Sequence, residues 1–372
     1  MTDEKSLHIS PAGVAFVKSK VRKGLLPIML EDILNTRIMV KECMKFPSVD
    51  KNLRKILDNR QLGLKLIANV TYGYTSANFS GRMPCVEVAD SIVHKGRETL
   101  ERAIDYVNGT KKYGAEVIYG DTDSLFVLVR NKSKQDAFEI GKEIATEITK
   151  LNPFPVKLKF EKVYHPCVLQ TKKRYVGYSY ESEDQKEPVF DAKGIETVRR
   201  DTCEVVSKML EKMIHVLFRS SGDLQAVKEC LTKQFDKILS DRLPLSNFIF
   251  AKEYRGRKYY KQKASIPALK IIRENLRSDP RSEPHIHERV PYVILNGEPG
   301  CTLISCVNDP NALSSSHPHE LNNLNYEYYI VKQIGPALNR ILNILGADCL
   351  QWYREMSRNM HHLRTREEIS VG

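Results

Sequence analysis

Two carboxylates stand two residues apart in Tyr119-Gly120-Asp121-Thr122-Asp123-Ser124, between the apolar runs Val117-Ile118 and Leu125 to Val129. The pattern predicts two strands joined by a tight turn, with Asp121 and Asp123 at its tip. Packing gives no reason to put carboxylates there, because burying one unpaired costs several kcal/mol. A hard divalent cation would remove that cost, and oxygen donors without nearby sulfur or imidazole favour magnesium. An Asp-rich polar hairpin tip with no ligand is the other reading of the same residues.

A second group shares one helix face. Between Lys65 and Gly73 the helical period brings Lys65, Asn69 and Tyr72 together, and spreads Leu64, Ile67, Ala68 and Val70 over the other side. On the preceding helix Arg37 and Lys41 lie four residues apart. A triphosphate suits this set, Arg gripping bidentately and Lys acting as a point charge, although solvated cationic faces are common on helices. A third group runs from Lys252 to Lys263: Lys252, Arg255, Arg257, Lys258, Lys261 and Lys263 stand against a single acid, Glu253, and interleave with Tyr254, Tyr259 and Tyr260. Cations and aromatics so mixed suit a phosphate backbone or a plain charged surface.

The elements that must hold these groups follow from periodicity. Helical spacing over 25–45 and 51–72, broken at Phe46-Pro47-Ser48, predicts a two-helix hairpin. A helix is expected over 88–107 with Ile92, Leu100, Ala103 and Val107 on one side. Strands are expected at 116–119 and 125–129, a helix at 134–150, and a strand where Val156, Leu158 and Phe160 alternate with charged residues. Beyond Asp201 the pattern is mainly helical, with a stripe at Val205, Met209, Met213 and Leu217, another from Leu224 to Ile238, and a third from Ile330 to Leu345; a Pro- and His-rich stretch over 279–319 interrupts them.

With 372 residues, 41% hydrophobic and 28% charged, the chain can build two or three folding units. The net charge of +12 favours a polyanionic partner. No apolar run reaches membrane-spanning length and the start lacks a signal-peptide pattern, so neither a membrane nor a secreted protein is expected. The eight cysteines include one C-x4-C pair, Cys301 and Cys306, and read as reduced thiols rather than a zinc or disulfide framework. His285/His287 and His317/His319 are H-x-H pairs with no third ligand of matching type beside them.

The order and spacing of Lys65 with Asn69-Val70-Thr71-Tyr72-Gly73, then Tyr-Gly-Asp-Thr-Asp-Ser, then Lys172-Lys173-Arg174-Tyr175, then Lys193-Gly194-Ile195-Glu196-Thr197-Val198-Arg199-Arg200-Asp201, resemble the family B DNA polymerases over nearly the whole chain. The family's N-S-x-Y-G reads here with Val70 in place of Ser, and that departure, with the stretches Ala68 to Cys85 and Leu169 to Tyr178, resembles the translesion branch of the family, the replicative branch being the alternative. The resemblance implies an α+β fold of right-hand architecture: a palm-edge segment over 1–21, helical fingers over 22–72, palm over 73–192 and a mainly helical thumb over 193–372.

It also implies roles. Asp123, with Asp121, would bind two magnesium ions for phosphoryl transfer from a dNTP to a primer 3′-hydroxyl. Arg37, Lys41, Lys65, Asn69 and Tyr72 would hold the nucleotide. Gly73, Lys172, Lys173, Arg174, Tyr175, Lys193, Arg199, Arg200, Lys252, Arg255, Arg257 and Lys258 would contact primer-template DNA. A nuclear DNA polymerase working with accessory subunits is expected, without zinc or an iron-sulfur site in this chain. The family's further aspartate, in an upstream D-x-x-S-L-Y-P-S strand, has no counterpart here, so the chain is expected to be a fragment, inactive alone and prone to aggregate at the vacated strand slot. A non-catalytic DNA-binding role is the alternative.

Overall fold

The structure, a computed structural model, describes residues 6–77, 83–261, 265–314 and 323–358. It has two compact units, 1–161 and 162–372, so the division falls inside the span expected to be palm.

In the first unit β1 (Leu7–Ile9) and β2 (Ala15–Val17) pair antiparallel, and α1 (Leu25–Cys43) and α2 (Lys51–Ser76) form the expected helical hairpin. Asp50 starts α2 by accepting the Leu53 N–H at 2.6 Å, and Pro47 lies in the break before it. The helix runs unbroken past 72, so the expected fingers-palm boundary falls inside α2. Its most covered stripe is Leu57, Gln61, Leu64, Ala68, Thr71 and Thr75, whereas Ile67 and Val70, expected on the apolar side, are exposed. Thr71 and Thr75 can be buried because their hydroxyls bond back to the Ile67 and Thr71 carbonyls at 3.0 and 2.8 Å. Next, α3 (Val86–Gly109) packs on α2 and is tied to the β1–β2 turn by a buried Ser91–Ser10 hydrogen bond.

After α3, β3 (Ala115–Asp121) and β4 (Ser124–Val129) form an antiparallel ladder with a bulge between Val117 and Tyr119. A Ser133/Asp136 capping box opens α4 (Lys134–Leu151). Ala103 and Val107 of α3 and Ile144 and Ile148 of α4 share a core with Val117, Leu125 and Val127. Ile92, expected on that face of α3, is exposed.

Residues 156–160 do not form the expected strand. Their alternation is used against a helix: the Leu158 N–H donates to Thr149 Oγ1 at 3.0 Å, and Phe160 fills the space beside Gly141 and meets the Phe138 ring edge-on. Period-two burial records one covered side, and α4 covers this segment as a sheet would.

The second unit begins with a three-stranded antiparallel sheet, β5 (Val163–Thr171), β6 (Arg174–Tyr180) and β7 (Val189–Lys193), in sequence order. On it packs α5 (Glu204–Arg219), whose His215 and Phe218 meet Tyr178. Then come α6 (Leu224–Leu239), β8 (Phe250–Glu253), α7 (Pro267–Ser278), β9 (Arg289–Ile294), β10 (Val307–Asn308), α8 (Pro310–Ser314) and α9 (Tyr326–Tyr328); a π-helical stretch, Tyr329–Ile334, leads into α10 (Gly335–Leu342). Ile330, Ile334, Leu338 and Ile341 form a buried stripe, but Leu345 is exposed. The sheet in the order β10-β9-β8 departs from the mainly helical expectation. Its strands are short and β9 contains Pro291, which lowers a strand's legibility. The fold is thus α+β in both units. No described helix is long and apolar enough to cross a membrane.

Candidate functional site

The β3–β4 tip is built by pairing Asp121 with Ser124, which leaves Thr122 and Asp123 as the turn. Thr122 has φ +58°, and the Asp123 N–H donates to the Asp121 carbonyl at 2.6 Å across it. A three-residue turn with positive φ is rare, and a β-branched residue at its centre is an outlier costing about 1–3 kcal/mol. Ser124 Oγ also donates to the Asp121 carbonyl, at 3.1 Å, and Thr122 Oγ1 to the Asp121 carboxylate at 3.3 Å. Asp121 is half-buried on the helix-facing side of β3, and Asp123 is exposed at the tip. The fold therefore holds the two carboxylates at the tip of a strand-turn-strand, as expected of their sequence, and the turn is strained at Thr122. No cluster of three or more metal-ligating His, Cys, Asp or Glu occurs among the described residues, so this pair could hold a cation only with ligands from outside it.

On the helical hairpin, Arg37 Nε of α1 donates to Gln61 Oε1 of α2 at 3.2 Å, and Gln61 Nε2 donates in turn to Asp58 Oδ1 at 3.1 Å. Gln61 stands one turn before Lys65 and two before Asn69, so this contact aligns the α1 cation with the α2 stripe. Lys41, Lys65, Asn69 and Tyr72 are exposed, and Gly73 sits on the same helix with open space where a Cβ would be. Sequence reasoning missed Gln61, an ordinary helix former whose role appears only when α1 is laid beside α2.

In the second unit, Lys172 and Lys173 form the two-residue turn between β5 and β6, with Thr171 opposite Arg174 and Lys173 at φ +62°. Gly194, at φ +68°, backs onto this turn: a Cβ there would overlap the Lys173 carbonyl. Tyr175 lies opposite Lys193 on β7. Two motifs some twenty positions apart thus converge on one hairpin end. Lys172 and Lys173 are exposed, but Arg174 turns inward and its Nη2 donates to Glu196 Oε1 at 2.6 Å, as does Arg340 Nη2 of α10. Arg174 Nε, Glu196 Oε2, Thr197 Oγ1 and Gln170 Oε1 are buried in this neighbourhood without a hydrogen-bond partner among the described residues. The middle of the sheet is fixed by Asp191, opposite Gly177 on β6, which accepts Tyr164 Oη at 2.7 Å, Lys162 Nζ at 2.5 Å and Lys193 Nζ at 3.0 Å. Burial alone would raise the Asp191 pKa, but these donors bring it down to about 2.

Arg199 grips Asp201 with Nε at 2.8 Å and Nη2 at 2.7 Å, holding that carboxyl at about 2. Lys252 Nζ donates to the Asp201 carbonyl, and Arg289 Nη1 to the Arg200 carbonyl at 2.8 Å. These bonds join the Arg199-Arg200-Asp201 segment to β8 and β9. Arg255 stacks on the exposed Tyr259 ring at 4.9 Å, Arg257 pairs with Glu283 at 3.0 Å, and Lys258 is exposed. Tyr254, expected among the exposed aromatics, is 1% exposed and belongs to the core; its hydroxyl donates to Glu283 at 2.7 Å. A groove of about 580 Å³ lies beside it, lined by Arg257, Lys261, Tyr260, Arg273 and Arg277 among others. Arg273 and Arg277 went unnoticed in the sequence although their spacing of four on amphipathic α7 was readable. Lys263 and His317/His319 lie outside the described residues. His287 of the other H-x-H pair bonds Glu253 through Nδ1 at 2.6 Å.

The chain belongs to the DNA polymerases of family B: the family pattern matches residues 1–345. It is 59% identical over 352 residues to the DNA polymerase zeta catalytic subunit of Homo sapiens, covering 95% of this chain and 11% of that protein. It is 35% identical over 348 residues to the DNA polymerase delta catalytic subunit of Schizosaccharomyces pombe, covering 91% of this chain and 31% of that one. The family B DNA polymerase of the archaeon Pyrobaculum calidifontis superposes with a TM-score of 0.62 at 25% identity, over 93% of this chain and 41% of the other. The chain thus spans about a tenth of the human relative's length.

Proposed function

We propose that this chain supplies the fingers, part of the palm and the thumb of a right-hand, template-directed DNA polymerase of the zeta, translesion type, working in the nucleus with accessory subunits. The observation that carries the reading is the pair Asp121 and Asp123 flanking the strained Thr122 at the β3–β4 tip. The higher identity to zeta than to delta favours the translesion branch.

Asp123 and Asp121 fit magnesium, since both are hard oxygen donors and phosphate oxygens and water would complete the shell. When bound, such ions activate the primer 3′-hydroxyl and neutralise charge on the transferring phosphoryl group. Arg37, steadied by Gln61, would grip phosphate oxygens with Lys41 and Lys65; Asn69 would orient the triphosphate and Tyr72 would lie against the nascent pair. Lys172, Lys173, Lys193, Arg200, Arg255 and Lys258 would neutralise primer-template phosphates, positioning DNA without reading its sequence. Arg174 and Arg199, committed to Glu196 and Asp201, would shape that surface rather than touch DNA directly.

The test fuses this chain to an upstream palm strand bearing the family's D-x-x-S-L-Y-P-S and measures primer extension with magnesium. Asp123→Ala should lower the rate by about 10³-fold, as expected for removal of several kcal/mol of metal-centred stabilisation. Glu116→Gln on β3 should leave it unchanged. Unchanged extension by Asp123→Ala removes the acidic tip from the mechanism, and tight DNA binding without any extension by the parent favours a non-catalytic role.

A further inference from the structure

The connection between β9 and β10 carries a feature the polymerase reading does not use. Cys301 Sγ and Cys306 Sγ lie 3.3 Å apart, both as free thiols. The loop that presents them is held at its base by the Leu295 N–H bonded to the Cys306 carbonyl at 2.9 Å, and the Cys301 N–H donates to the Glu298 carbonyl at 3.1 Å. Gly297 packs against the pair: a methyl group there would overlap both sulfurs. The space two sulfurs need is therefore kept open by a residue without a side chain. The two thiols are unequal, Cys301 being exposed and Cys306 buried at the edge of the core.

We propose that Cys301 and Cys306 form an oxidisable dithiol that a hydroperoxide converts to an intramolecular disulfide, clipping the end of the β9–β10 connection. Exposed Cys301 meets the oxidant. Its thiolate sulfur attacks one peroxide oxygen, the O–O bond breaks, and the other oxygen leaves as water or an alcohol after taking a proton, giving Cys301 sulfenic acid. Cys306 then attacks the Cys301 sulfur, the S–O bond breaks and water leaves with the Cys306 proton. Two thiols lose two electrons in all and one hydroperoxide gains them. Burial raises the Cys306 thiol pKa, so exposed Cys301 and not Cys306 makes the first attack, and in the second step the contact between the two sulfurs offsets the smaller thiolate fraction. An added dithiol reverses the reaction.

The experiment treats the reduced full-length chain with one equivalent of hydrogen peroxide, alkylates remaining thiols with N-ethylmaleimide and maps tryptic peptides. Both cysteines fall on the single peptide 290–332. The expected product is that peptide lighter by two hydrogens and unalkylated, with the other cysteines alkylated. A doubly alkylated 290–332 peptide, or Cys301 carrying two or three oxygens beside an alkylated Cys306, overturns the proposal. Cys306→Ser should stop oxidation at a Cys301 sulfenic acid trapped by dimedone. Because that variant changes a buried residue, phenylarsine oxide provides a readout on the unaltered chain: one equivalent should protect both thiols from alkylation, and protection of neither overturns the pairing.

Discussion

Arg174 and Glu196 meet at 2.6 Å, and the same carboxylate oxygen takes Arg340 at 2.6 Å. One acid thus joins the β5–β6 hairpin end to α10. With its side chain only 12% exposed, Glu196 balances two guanidinium groups that would otherwise repel each other. Glu196→Ala should cost about 3–5 kcal/mol, the usual result of removing one side of a buried ion pair. For a unit of this size that is a fall in Tm of about 10 °C, measured by thermal unfolding. A loss under about 1 kcal/mol, the value of a surface pair, would show the cluster to be solvated.

Gly194 and Gly222 share positive φ but differ in surroundings. Gly194 abuts the Lys173 carbonyl, whereas no atom of the described residues lies within 4 Å of the Cβ position of Gly222. Gly222→Ala should cost only the backbone strain, about 1–2 kcal/mol. Gly194→Ala should cost more, and should also weaken primer-template binding by displacing the Lys172-Lys173 turn. Equal losses of stability, with DNA affinity untouched, would detach the turn from the binding surface.

Salt dependence separates exposed cations from committed ones. Each phosphate contact contributes about 0.9 to the slope of log K against log salt for duplex DNA. Lys172→Ala and Lys258→Ala should each lower that slope by about one contact while leaving Tm unchanged. Arg199→Ala should instead lower Tm by freeing Asp201, with a smaller change of slope; the reverse ordering would mean that Arg199 leaves its carboxylate to meet DNA.

Acid should loosen the β5–β7 sheet through Asp191. Its folded pKa, about 2, lies below the ordinary 3.8, so its contribution is fully present above about pH 4 and is lost as pH falls from there through 2. Asp191→Asn should therefore lower stability at neutral pH by about 2 kcal/mol, as for loss of charge-assisted hydrogen bonds, and flatten the acid limb of the stability curve. An unaltered acid limb in the variant assigns that limb to other carboxylates.

The Arg37–Gln61 contact predicts a graded effect on nucleotide use in the primer-extension assay. Arg37→Ala should raise KM for dNTP about 10- to 100-fold, the loss of one charge-assisted phosphate contact of about 1.5–3 kcal/mol. Gln61→Leu should raise it less and leave kcat nearly unchanged, since the cation remains but is no longer held. Should Gln61→Leu exceed Arg37→Ala, Gln61 touches the nucleotide itself.

The elements that carry the candidate site were largely legible in the chain because each resides in a contiguous string. Tyr119 to Ser124 carries its own strands and turn, and Lys65 to Gly73 its own helix face, so local periodicity placed Asp121, Asp123, Lys65 and Asn69 without any knowledge of packing. What local pattern could not separate was which surface covers an alternating segment: 156–160 reads as a strand and lies instead along α4, while Ile67, Val70 and Ile92 read as buried and are exposed. Tertiary structure alone decided the long-range pairings. Gln61 received Arg37, Gly194 was set against Lys173, Glu196 collected Arg174 and Arg340, and Cys301 was brought to Cys306. Residue type and local spacing fix what a side chain can do; only the packed backbone, bringing groups from separate elements within hydrogen-bond reach, determines which partner it finds.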